Sequence, residues 1–373
     1  MQSHTTARVP RVLQLVLSLN PGGTERLVVE LVQRLRSELS TAVCCLDEAG
    51  IWGDGLSESG VEVTALRRRE GFRPMLGREV ARAAVRHRAN VVHCHHYSPF
   101  VYAAIAKWWT RDLQIIFTEH GRLSDAAPSP KRRLANRLLA HAPQQVVTVS
   151  ADLREHLVAE GFPAQKVAVI YNGIDVGPPP DSDARLRVRR ELGIPDATIV
   201  LVTVARLDPV KDLGTLIHAV ARQPEGTRLM LFVIGDGSER DRLEAMAREA
   251  GAASSVRFLG HREDARDLLA GCDVYVNSSI SEGISLTILE AMAAVLPVVA
   301  TRAGGTPEIL DATCGRLVPT RDAAALGAML AELAADQALR HQLGRAARAR
   351  VEQRFTLDRM IAQYRDAYFA AAA

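Results

Sequence analysis

Cysteine is scarce: five residues in 373, at Cys44, Cys45, Cys94, Cys272 and Cys314, with no C-x-x-C pair among them. The odd, scattered set argues against a disulfide scaffold or a zinc ribbon and fits reduced, mostly buried thiols. Long apolar runs are also missing. Val12 to Leu19, Ile199 to Ala205 and Val295 to Ala300 are strand-length, well short of the ~20 residues a bilayer crossing needs, so no membrane span is expected. Val12 to Leu19 runs at once into Asn20-Pro21-Gly22-Gly23 rather than a small-residue cleavage site. No signal peptide is therefore read, and a cytoplasmic protein is expected. No low-complexity segment or short repeat appears.

Charge of one sign is lacking overall, since the net charge is +3, which gives no footing for a nucleic-acid partner. The small surplus is unevenly placed. Residues 1–175 hold 22 Lys and Arg against 17 Asp and Glu, and the remainder 24 against 26. Arg67 to Arg88 carries eight arginines against Glu70 and Glu79, and Lys131-Arg132-Arg133 with Arg137 forms a second basic helix. Such a pattern suits contact with an anionic membrane at the inner face, or with a lipid phosphate. It equally suits the solvated face of arginine-rich helices.

What is abundant is alternation. Apolar runs at Val12 to Leu19, Thr41 to Leu46, Val61 to Leu66, Asn90 to His93, Leu113 to Thr118, Gln145 to Val149 and Val167 to Ile170 are mostly separated by helix-period stretches. Continuous apolar strands between helices predict a parallel sheet covered on both faces. The pattern stops in the proline-rich stretch 176–183, read as a linker, and then restarts with six further strands. The expected architecture is α/β with two doubly wound Rossmann-like domains, 1–175 and 184–355, facing across a cleft. A last helix, 356–373, is expected to return to the first domain. In such sheets ligands bind beyond the carboxyl ends of the strands.

Several residues stand at those ends. Gly22-Gly23 open the first helix after the first strand, where glycine lets a ligand approach the backbone or simply makes a turn. Gly235-Asp236-Gly237 lacks the third glycine of a dinucleotide fingerprint, since Arg240 stands there, so a tight turn is expected and a nicotinamide dehydrogenase is disfavoured. Arg206 and Lys211 bracket a strand-to-helix loop and suit a diphosphate. Lys211, placed in a first helical turn, would oppose the helix dipole unless an anion were present. In Ser281-Glu282-Gly283-Ile284-Ser285-Leu286 through Glu290, a glycine-broken loop enters a helix whose start can hold a phosphate, with glutamates on either side for hydroxyl groups. His120 ends a strand and precedes glycine. His93, His95 and His96 have an alternation that could suggest zinc, but a third ligand at matching spacing is absent, and histidines lining the cleft are the reading preferred.

These pieces resemble, in order along nearly the whole chain, a retaining glycosyltransferase of the GT-B fold, family four (glycosyl transferases group 1). They are Gly22-Gly23, Thr118-Glu119-His120-Gly121, Val169 to Asp175, Ala205-Arg206-Leu207 with Lys211, Val233 to Gly237, Ser281 to Ala293, and Pro297 to Thr301 with Gly304-Gly305 and Pro307-Glu308. Ser281 to Ala293 with Thr118 to Arg122 also resembles a bacterial exopolysaccharide subgroup.

The resemblance implies that Arg206 and Lys211 neutralise the diphosphate of a nucleotide sugar, most simply a UDP-sugar, and that Glu290 holds the ribose. Glu282 with Gly283, Ile284, Ser285 and Leu286 would hold the donor sugar. His120 would contact that sugar, and Gly22 and Gly23 would lie by the phosphates. The base would be read near Gly260, His261 and Arg262, and the acceptor, a glycan or a lipid-linked one, near His95, His96, Tyr97 and Arg122. No cofactor and no metal is expected, because Arg206, Lys211 and the helix start at Ser285 stand where a metal would act. One departure is visible: Val295 occupies a helix-to-strand turn where the family usually has glycine, which puts local geometry rather than chemistry in question. The alternatives are a nucleotide-sugar epimerase or hydrolase of the same fold, and a non-catalytic subunit that binds nucleotide sugar or a partner transferase.

Overall fold

The computed structural model describes residues 9–122, 130–195, 197–224 and 227–373. The chain divides into two compact units, Met1–Asn172 with Asp358–Ala373, and Gly173–Leu357. The first is built on seven strands: β1 Arg11–Val16, β2 Ser40–Cys45, β3 Glu62–Ala65, β4 Val91–His95, β5 Gln114–Glu119, β6 Gln145–Thr148 and β7 Val167–Val169. They pair in the order β3-β2-β1-β4-β5-β6-β7, every neighbouring pair parallel. The second carries β8 Ile199–Val204, β9 Leu229–Ile234, β10 Val256–Gly260, β11 Val274–Asn277, β12 Val298–Thr301 and β13 Gly315–Val318. Their order is β10-β9-β8-β11-β12-β13, again parallel throughout.

Both sheets reverse their winding once, between β1 and β4 and between β8 and β11. Such a reversal marks the carboxyl ends of those strands as the place for a ligand crevice. The central strands are almost wholly buried, which is why they read as continuous apolar runs. In the first unit Phe100 and Phe117 stack at 4.4 Å, with Phe162 against both. All five cysteines are free and buried. Burial pushes the Cys45 thiol up to about 12.

The last helix, Leu357–Ala372, puts Tyr364 and Tyr368 into the core of the first unit. Two helices escape the apolar pattern. Gly50–Glu58 holds three glycines, and Gly50 sits at φ +71° so close to the backbone of Asn20 that a Cβ would lie 2.6 Å from its nitrogen. Ser182–Glu191 is rich in charge, yet Arg189 is buried in its last turn and donates to the carbonyls of Gly271, Pro195 and Thr198. The stretch 176–183 therefore gives its last two residues to a helix. Asp181 caps it, accepting from Ala184 N at 2.6 Å. This takes up the first carboxylate of Asp181-Ser182-Asp183, the one D-x-D spacing in the chain.

Candidate functional site

In the second unit the loops after β8 and β11 meet at the winding reversal. Arg206 follows β8 with its side chain 74% exposed, paired to Asp208. The loop is held by glycines of the next crossover. A Cβ on Gly235 would lie 1.9 Å from the Ala205 carbonyl oxygen and one on Gly237 2.6 Å from that of Leu207, and Leu207 N donates to Asp236 O. Gly235-Asp236-Gly237 is thus more than a turn: it lets one backbone lie flat against the segment that presents Arg206.

Lys211 ends a short 3-10 turn, Pro209–Lys211, and Asp212, at φ +45°, precedes the helix Leu213–Ala221. The lysine is therefore outside the helix, and the expected conflict with its dipole does not arise. Its Nζ donates instead to Glu282 Oε1 at 2.7 Å. The same oxygen accepts from Ser279 Oγ at 2.6 Å and Asn277 Nδ2 at 3.3 Å. Oε2 has no partner among the described residues. The residues expected to serve phosphate and sugar separately form one ion pair, at side-chain exposures of 23% and 10%. Gly304, at φ +50°, packs under the Glu282 carbonyl, where a Cβ would come within 1.9 Å.

Glu282 leads through Gly283 and Ile284 into the helix Leu286–Ala293. Ser285 caps it, accepting from Ile288 N at 3.4 Å, and Tyr275 steadies the first turn by donating to Thr287 Oγ1 at 2.7 Å. The positive dipole end of this helix lies beside Lys211's partner. Glu290 is buried on this helix. At the helix's far end Val295 takes up φ +62°, and Leu296 N donates to Ala291 O. The chain therefore makes a left-handed stop with a β-branched residue where glycine costs nothing. Of the base-side residues, Gly260 accepts from Gly235 N at 2.8 Å, and Arg262 is tied to Asp264 and Glu191. His261 is exposed.

In the first unit, Gly22 is the residue before the helix Gly23–Leu35. Glu25 folds over it, near enough that a Cβ on Gly22 would meet its Oε2 at 2.2 Å. A carboxylate of the protein's own thus faces that helix start. After β4, His96 adopts φ 73° and ψ 163°, a region nearly reserved for glycine, where a side chain costs about 1–3 kcal/mol. Its Nδ1 lies 3.1 Å from Glu119 Oε1. Burial alone would depress the His96 pKa, but that hydrogen bond and the charges of Glu119 and Glu25 outweigh it and raise it. His95 is 1% exposed, with both ring nitrogens engaged, by His120 at 3.0 Å and Gln14 at 2.9 Å. It therefore touches no acceptor itself. His93 is likewise engaged at both nitrogens, by Tyr368 and Thr118, so the strand histidines do not line a cleft. Burial and neighbouring histidines hold His93, His95 and His120 well below the ordinary range. Tyr97 donates to Asn136 Oδ1 under the guanidinium of Arg132, and Arg122 forks onto both oxygens of Asp152 at 2.6 and 2.7 Å. Sequence reasoning passed over Gln14, Asn277 and Ser279. The signal for Gln14 was there: one amide inside the apolar strand Arg-Val-Leu-Gln-Leu-Val.

Two family models match the chain: glycosyl transferases group 1 over residues 185–350 and glycosyltransferase family 4 over residues 21–177. The chain belongs to the group 1 glycosyltransferases. Among curated relatives of this transferase, an N-acetyl-alpha-D-glucosaminyl L-malate synthase of Bacillus anthracis is 26% identical over 79% of this chain and 78% of its own. A D-inositol 3-phosphate glycosyltransferase of Corynebacterium jeikeium is 32% identical over 68% and 66%. Among solved structures, the HepE protein of Anabaena in complex with UDP and glucose superposes with a TM-score of 0.86 at 24% identity, covering 96% of this chain and 99% of that one. The two parallel-sheet units of this transferase are the GT-B architecture.

Proposed function

We propose that this glycosyltransferase moves a sugar from a UDP-sugar to a glycan or lipid-linked acceptor in polysaccharide or glycoconjugate synthesis, with retention at the anomeric carbon and without a metal. The observation that carries the reading is the Lys211–Glu282 pair set at the start of the helix Leu286–Ala293, with Arg206 on the adjoining loop. The HepE structures with UDP and with UDP-glucose support the choice of nucleotide.

As the bond from the anomeric carbon to the phosphate oxygen breaks, the leaving diphosphate gains charge, and fixed cations stabilise that change directly. Arg206, Lys211 and the N–H groups of Ile284, Ser285 and Leu286 supply them. Glu282 has three donors on Oε1, so Oε2 is the oxygen for sugar hydroxyls. Glu290 holds the ribose, and His120 takes a hydroxyl of the transferred sugar. The acceptor oxygen bonds to the anomeric carbon from the face the phosphate leaves, and its proton passes to that phosphate.

A panel of UDP-, GDP- and ADP-sugars tests the donor. UDP-sugars should raise the melting temperature of the wild type and much less that of Lys211→Ala. A response to no nucleotide sugar, or an equal response in the variant, would refute the site. Nucleotide release that does not depend on an acceptor would favour an epimerase or hydrolase, and binding without any turnover a non-catalytic subunit.

One observation favours a peripheral membrane contact as well. On the helix Pro130–Leu139, Leu134 and Leu138 are 62% and 69% exposed, four residues apart among Lys131, Arg133 and Arg137. Exposed leucines between cations suit an anionic bilayer surface. The protein should float with anionic vesicles and not with neutral ones, and L134E/L138E should abolish flotation. Flotation unchanged by that substitution would rule this helix out.

A further inference from the structure

A chain of hydrogen bonds runs from the last helix to His120. Gln14, fully buried in β1, donates through Nε2 to Tyr368 Oη at 3.0 Å, and its Oε1 lies 2.9 Å from His95 Nε2. His95 Nδ1 lies 3.0 Å from His120 Nε2. Tyr368 Oη lies 2.7 Å from His93 Nδ1, and His93 Nε2 2.7 Å from Thr118 Oγ1.

Proton positions follow from counting. A neutral imidazole has one N–H and one lone pair. The Gln14 carbonyl only accepts, so His95 donates from Nε2 and accepts at Nδ1. His120 must then donate from Nε2, which leaves Nδ1 with a bare lone pair. Turning the Gln14 amide over would reverse each step and leave His120 with an Nδ1–H. That atom is shielded from water and has no partner among the described residues. A buried orphan N–H is rarer and costlier than a spare lone pair, so the first arrangement is favoured.

We propose that Gln14 and His95 are positioning residues that fix His120 in its Nε2–H tautomer, so that Nδ1 accepts a hydrogen bond from a free hydroxyl of the transferred sugar. The inference rests on His120 contacting that sugar, as in the reading above. It adds a chemical requirement: the group opposite Nδ1 must have a proton to give, which an ether oxygen or a phosphate dianion lacks. The last helix takes part because Tyr368 holds the Gln14 amide, the first step in the relay.

Nitrogen NMR of the full-length protein with 15N-labelled histidine, without donor, should show His120 protonated at Nε2 and bare at Nδ1. An Nδ1–H or an imidazolium would overturn the proposal. Turnover supplies the second arm. In His95→Asn the side-chain oxygen still accepts from His120 Nε2–H, and kcat/KM for the donor should stay within about 3-fold of wild type. His95→Leu removes the acceptor and should lower kcat/KM for the donor about 10-fold. Equal losses in two folded variants, or His120→Ala turning over as fast as wild type, would also overturn it. If the wild type uses no nucleotide sugar, the functional reading fails, and the tautomer is still read independently from the spectrum.

Discussion

Lys211 and Glu282 each have a defined task only because the other is present. The lysine neutralises a carboxylate whose side chain is 10% exposed, and the carboxylate fixes the position of the lysine. Removing one charge-assisted contact costs about 1.5–3 kcal/mol, so Arg206→Ala and Lys211→Ala should each slow transfer about 10-fold to 100-fold with the fold intact. Steady-state kinetics alongside circular dichroism checks this, and near-wild-type rates in both variants would contradict it. The buried histidines make a pH prediction. His93, His95 and His120 have folded pKa values below the ordinary 6.5. Each therefore stabilises the fold above 6.5 and withdraws that stability as pH falls, since unfolding then takes up its proton. His96 has the opposite shift. Its contribution is complete below 6.5 and fades only as pH rises past that value. As pH falls below about 6.5 stability should therefore decline, measurable by urea titration across that range. A flat profile there would show that these rings are not held neutral.

Among the elements, strands and most helices were legible because apolar runs and helical spacing are local properties. The helix Ser182–Glu191 was not, because a buried Arg189 satisfying distant carbonyls replaces the apolar stripe. Val295 was legible as an anomaly, and the structure gives its form: a β-branched residue at φ +62° ending the helix Leu286–Ala293. Val295→Gly should stabilise the protein by about 0.5–1 kcal/mol, read as a higher melting temperature. No change would mean that the valine side chain's packing offsets its backbone strain. The neighbouring contact has no such tolerance. Gly344 lies so close under Val295 that a Cβ would come within 2.0 Å of its carbonyl oxygen. Gly235→Ala carries the same kind of clash, 1.9 Å, into the loop that presents Arg206. It should lower donor affinity as well as stability, and unchanged donor binding in the folded variant would argue against that buttressing role.

At the scale of the whole molecule, the sequence laid out two parallel sheets and the order of the motifs along them. It did not reveal which side chains meet. The partners of Glu282 stand five, three and 71 residues away, and Gln14 meets Tyr368 across 354 residues. The winding reversal between β8 and β11 brings Lys211 to Glu282, and the return of the last helix to the first unit brings Tyr368 to Gln14; neither strand pairing nor helix docking is written in a local pattern. The central claim, transfer with retention driven by the protein's own cations, has one direct measurement. A UDP-sugar is turned over in the presence of a chelator, and the first-formed anomer of the product is read by proton NMR before mutarotation. The account predicts undiminished turnover and the donor's own anomeric configuration. An inverted anomer, or turnover that returns only when a divalent ion is added, would contradict it.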